Sequence, residues 1–179
     1  MVFRILLAAF SIALIVFGFL PWLELDIHFL EKMIKGLNSD VLQYIGFQLP
    51  EFHSTYSAAD LFTLGTSLSS LTDIAKTFDI STRTIRMGSY GTMAISISWA
   101  IGALLLVIGT IITLVGKKRS SIVSVIGCVV IILVCVAVSV PISEYSTYIE
   151  GGIGLMLSLF GAVLVIILTA VTRLFYLKA

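Results

Sequence analysis

The sequence predicts a membrane all-α fold, a four-helix transmembrane bundle, with a small extracytoplasmic α/β domain between spans one and two. Three observations carry this. The 179 residues are 59% hydrophobic and only 12% charged, where a soluble domain carries about a quarter charged residues. Mean hydropathy is +1.13. Apolar runs at 3–20, 93–115, 122–140 and 153–171 approach or reach the roughly 20 residues that a helix needs to cross a hydrocarbon core of about 30 Å.

The third observation is how the charges sort. Arg4, Lys117, Lys118, Arg119, Arg173 and Lys178 flank one side of these runs, and no acid joins them. All 10 acids fall in the two segments on the other side. The positive-inside rule then places both termini and the "GKKRSS" turn in the cytoplasm.

Span one is expected over 1–22. "MVFR" and the apolar run resemble a signal peptide, but "FGFLPWLELD" at 17–26 lacks a small-x-small cleavage site, so an uncleaved span is expected. Trp22 stands where an interfacial anchor belongs, and Pro21 ends the helix at the water boundary.

The extracytoplasmic domain is expected over 23–92. In "WLELDI", Leu23, Leu25 and Ile27 alternate with Glu24 and Asp26, the pattern of a half-buried strand. Leu30, Met33, Ile34, Leu37, Val41 and Ile45 follow at helical spacing. Ser57 and Asp60 have capping-box spacing, and Leu61, Leu64, Leu68, Leu71, Ala75 and Phe78 continue as an apolar stripe. After Asp79, "ISTRTIRMGSYGTMAISIS" reads as β-like before span two begins at Met93.

Span two (93–116), a cytoplasmic turn (117–121), span three (122–140), an outer loop (141–152), span four (153–172) and a cytoplasmic tail (173–179) complete the chain. Small residues recur on the spans: Gly102, Gly109 and Gly116 in span two, and Gly154, Ser158 and Gly161 in span four. Span three carries Ser124, Cys128, Cys135 and Ser139. Such faces let helices approach closely in lipid, where packing replaces the hydrophobic drive. Cys128 and Cys135 lie seven apart on one helix, and no disulfide between them is expected. An outer domain without cysteines or a glycosylation sequon points to a bacterial plasma membrane.

The order of spans, strand, outer helices and closely connected later spans resembles the topology of claudin-like tetraspan proteins, and of bacterial four-span proteins with "LPW", here Leu20–Trp22, closing span one. The Gly-Leu-Trp and cysteine pair of the claudin signature are absent, so the resemblance implies fold alone and no functional residue.

Chemistry is sparse. Membrane enzymes and proton-coupled transporters place ionisable groups within spans, and these spans hold none beyond Arg4 at the very start. His28 and His53, with acids loosely spaced around them, do not make a zinc ligand set. No enzyme activity and no cofactor are expected. The charge pattern gives no reason to expect nucleic acid as a partner.

"GFQLPEFHSTY" at 46–56 gathers Phe47, Leu49, Phe52 and Tyr56 around Pro50, a candidate edge for a protein partner. The basic turn at 117–119 is a topology signal that can also meet anionic lipid. The expected role is an accessory subunit of a membrane complex or an immunity protein against a secreted toxin, contacting membrane lipid and a protein partner. The alternative is a small oligomeric channel or transporter, with a homo-oligomer.

Overall fold

Uninterrupted apolar sequence favours helix in lipid, because a helix satisfies every backbone hydrogen bond within its own segment. The computed structural model describes residues 2–26, 53–77, 83–115, 121–144 and 149–177. Helix α1 spans Val2–Phe17, followed by strands β1 (Pro21–Leu25) and β2 (Thr55–Ser57). Helices α2 (Leu61–Thr77), α3 (Arg83–Leu114) and α4 (Ser121–Glu144) come next, then strand β3 (Ile149–Gly151) and helix α5 (Ile153–Leu177).

Three helices are long and apolar enough to cross a membrane, over Ile85–Leu114, Ile122–Val140 and Ile153–Arg173. Helix α1 contributes a shorter apolar stretch, Ile5–Phe17. Helices α1, α3, α4 and α5 close a ring in which α1 packs on α3 and α5, and α4 packs on α3 and α5. Leu7, Leu14, Leu106, Ile131, Ala162 and Val165 fill its centre. The outward faces are apolar too: Ile12, Ile101, Leu104, Leu133, Phe160 and Ile167 are all exposed. An apolar belt of this extent on long apolar helices is what a membrane protein presents to lipid.

Helix α1 ends five residues before the expected boundary of span one. Gly18, Phe19 and Leu20 donate to the carbonyls of Ile15, Val16 and Phe17 at 3.1, 3.0 and 3.2 Å, which tightens the last turn. Pro21 and Trp22 then belong to a strand, not to the helix. Gly18 is required at this corner, because a Cβ there would overlap the indole of Trp99.

Strand β1 is the centre of an antiparallel sheet of order β2-β1-β3. Its register sets Leu23 opposite Tyr56 on β2, and Leu23, Glu24 and Leu25 opposite Gly151, Glu150 and Ile149 on β3. The sheet thus joins the two segments expected outside the membrane. Strand β3 lies in the segment expected as a plain loop at 141–152. The helix before it continues past the expected end at Val140 through Pro141 to Glu144.

The stretch read as β-like after Asp79 is helix from Arg83 onward, continuous with span two. At 32 residues, α3 is about 48 Å long, well beyond the roughly 30 Å of a bilayer core. Its first ten residues pair with α2 as a helical hairpin, where the Ser89 hydroxyl donates to the Gly65 carbonyl at 2.7 Å; a turn further on, the Ser96 hydroxyl donates to the carbonyl of Ala59, just before α2, at 3.4 Å. Tertiary packing thereby overrides the β-leaning local sequence. The helices expected over 28–47 lie outside the described residues.

Candidate functional site

The candidate site lies at the end of the bundle where the sheet and the α2/α3 hairpin meet it. Its floor is Trp22. Strict alternation along β1 would set Trp22 on the same face as Glu24. A register shift between Pro21 and Leu23 breaks the alternation, so Trp22 and Leu23 are both buried. Trp22 is fully buried and its Nε1 donates to the Phe17 carbonyl at 3.1 Å. The residue expected as an interfacial anchor is a plug between sheet and bundle, because the bulge turns its ring inward.

Tyr56 sits across the sheet. Of the expected partner-binding residues it alone is described; Phe47, Leu49 and Phe52 lie outside the described residues. Tyr56 is only 2% exposed and is part of the core. Its hydroxyl accepts from the backbone N–H of His53 at 2.9 Å. Burial raises the Tyr56 phenol above the ordinary 10.0, the His53 N–H offsets part of that, and the nearby Asp60 charge adds to it. In place of a contact for a partner, Tyr56 is a fastening for the end of 46–56.

Directly after Tyr56, Ser57 and Asp60 cap the start of α2. The Ser57 hydroxyl donates to the Asp60 carboxylate at 2.7 Å, the Ser57 N–H donates to the same oxygen at 3.1 Å, and the Asp60 N–H donates to Ser57 Oγ at 3.2 Å. This is the reciprocal bonding of a capping box, with aspartate as the acid. From there the stripe tapers: Leu61 is fully buried and Leu64 nearly so, while Leu68 and Leu71 are half-buried. The hairpin, about 26 Å long from the 17 residues of α2, therefore stands away from the core as it rises.

The exposed face of that hairpin carries residues that the sequence reading passed over. On α3, Arg83, Arg86, Met87 and Tyr90 recur at helical spacing and are exposed, Met87 at 66% and Tyr90 at 64%. Phe62 at the base of α2 is exposed as well. Reading 80–92 as a strand divided these residues between two faces; on a helix they share one.

The small-residue positions fall at helix crossings. A Cβ on Gly102 would come within 2.9 Å of Ile131 and 3.2 Å of the Gly127 carbonyl. One on Gly109 would overlap Ser124. Gly127, which the sequence reading missed, faces Gly102 across the α3–α4 contact. Its signal was its spacing from Ser124 and Ile131 on one helix face. Gly154 sits within 2.8 Å of the Leu20 and Pro21 carbonyls by the same measure, and Gly161 lies against Leu14 and Phe17. The hydroxyls of Ser158, Thr110 and Ser124 are buried and have no hydrogen-bond partner among the described residues. Gly116 lies outside the described residues.

Among the described residues no group of three His, Cys, Asp or Glu side chains could hold a metal ion. His28 and Glu51 lie outside them. Compared with known protein families, curated proteins and solved structures, the chain matches none.

Proposed function

We propose that this is a non-enzymatic plasma-membrane protein of four spans, bacterial, with both termini in the cytoplasm, whose outer part binds another protein. The role is that of an accessory subunit of a membrane complex or an immunity protein against a secreted toxin. The four-span topology resembling claudin-like proteins belongs to this reading. Charge sorting supports the orientation: 10 acids on one side, and Lys117, Lys118, Arg119, Arg173 and Lys178 on the other. In it, α1 supplies the first span, with its last turn and the start of β1 completing the crossing.

The observation that carries the binding role is the hairpin face of Arg83, Arg86, Met87 and Tyr90. Interface cores are enriched in tyrosine, methionine and arginine. A stem that lifts such a face clear of the bilayer serves contact with a protein better than contact with lipid.

Two measurements test this. Membrane-impermeant thiol labelling of intact cells should modify a cysteine placed at Ser54 and spare one placed at Ser120. The native Cys128 and Cys135 are buried and give a low background. Affinity purification in mild detergent should recover a partner with the wild-type chain and lose it with Tyr90→Ala, at unchanged yield and melting temperature. A Tyr90→Ala chain that captures the same partner equally well overturns the hairpin face as the binding surface. Ion or solute flux through the purified protein in liposomes would instead favour the channel or transporter.

A further inference from the structure

Helices α4 and α5 leave a crevice of about 300 Å³ between their ends farthest from the sheet. Ile122, Val125 and Ile126 form one wall, and Ile166 and Thr169 the other, with Ala170 and Arg173 toward the mouth. Thr169 does not make this wall polar, because its hydroxyl donates to its own helix at the Val165 carbonyl, 2.7 Å away. The lining is therefore aliphatic except for one guanidinium. That guanidinium has a defined depth. Arg173 closes the apolar span Ile153–Arg173, so it lies about 30 Å along α5 from the other membrane boundary. This is headgroup depth, and Ile166 is about 10 Å deeper in the hydrocarbon.

We propose that the crevice holds an anionic phospholipid, its acyl chain between α4 and α5 and its phosphate at Arg173. Charge complementarity selects the headgroup. In the sequence, Lys117, Lys118 and Arg119 directly precede α4 and Lys178 follows α5, and no acid lies on this side of the spans. A guanidinium at the mouth of an apolar slot at the membrane boundary matches a phosphate attached to an acyl chain, and a zwitterionic headgroup gains less from the positive sequence on this side. Assignment to the inner leaflet rests on the topology proposed above; the preference for an anionic lipid does not.

The test is native mass spectrometry of the full-length protein in mild detergent, with phosphatidylglycerol and phosphatidylcholine added at equal concentration. The wild type should retain phosphatidylglycerol in clear preference. Arg173→Gln should lower that preference about fivefold, the effect of one basic residue at a membrane surface. Arg173→Lys should keep most of it. Ala170→Phe, an exposed position at the rim, should fill the slot and lower retention of both lipids. Equal retention of the two lipids by the wild type overturns the proposal, and so does an unchanged preference in Arg173→Gln. If Arg173→Gln cannot be purified, Ala170→Phe decides, and undiminished retention there overturns the proposal. In detergent both ends of the bundle are accessible, so this readout is independent of topology, which labelling at Ser54 and Ser120 reads separately.

Discussion

Tyr56 and Glu150 show how single side chains set the limits of the sheet. The Tyr56 phenol is raised above 10.0 in the folded state, so folding holds on to its proton. Stability from this source is fully present below the unfolded value near 10 and is lost as pH rises through the folded value. Thermal melts at pH 8 and pH 10.5 should therefore show a larger alkaline loss in the wild type than in Tyr56→Phe. At pH 8 the same change should cost about 0.5–1.5 kcal/mol, for the lost acceptor of the His53 N–H. An equal alkaline loss in both proteins would count against Tyr56 as the group responsible. Glu150 stands directly opposite Glu24 on the exposed side of the sheet. Like charges in that position repel, so Glu150→Lys should raise stability by roughly 0.2–1 kcal/mol, seen as a higher melting temperature at low salt. Alternation in "WLELDI" was enough to read Leu23 and Leu25 as inward and Glu24 as outward. It could not show Trp22 turning inward, because a bulge depends on the partner strand, and β2 lies some thirty residues away.

Among the elements, the apolar runs were legible because lipid imposes length and composition on them directly. The windows Ile122–Val140 and Ile153–Arg173 coincide closely with the expected spans three and four. The first ten residues of α3 were not legible. Isoleucine, threonine and glycine in that stretch lean away from helix, and what overrides them is packing on Gly65 of α2, whose missing side chain admits Met93, Thr92 and Ser89. Such a partner cannot be seen in the stretch itself. The same close fit governs α3 against α4. Replacing Gly109 with Leu places a large side chain where even a Cβ overlaps Ser124, so the helices must separate. The expected result is a loss of about 1–3 kcal/mol or more, read as a lower melting temperature and yield in detergent. Unchanged values for both would show that α3 and α4 do not pack closely at this level.

At the scale of the molecule, the sheet, helix α2 and the bundle share a core. Trp22, Leu23, Tyr56, Ala58, Leu61 and Leu64 belong to the same buried cluster as Leu14, Trp99, Leu106, Ile131 and Val165. Two further ties cross the junction: the Ala58 N–H donates to the Gly18 carbonyl at 3.0 Å, and the Gly152 N–H donates to the Trp22 carbonyl at 2.9 Å. The sequence reading treated the outer domain as separate from the spans, since a composition shift marks the boundary and side-chain continuity across it leaves no local signal. A shared core predicts a shared transition. The chain holds 2 tryptophans, Trp22 under the sheet and Trp99 on α3 against Gly18 and Phe19. Trp22→Phe leaves an indole reporting on the bundle, and Trp99→Phe leaves one reporting on the cap. Leu61→Ala, introduced into each, removes a fully buried side chain at the junction and should cost about 2–5 kcal/mol. If cap and bundle unfold together, that change should move the midpoint equally, relative to its own parent, whichever tryptophan reports it. A shift seen only through Trp22, with the Trp99 transition unmoved, would show that the cap melts alone and that the ties at Gly18 and Trp22 do not couple it to the bundle.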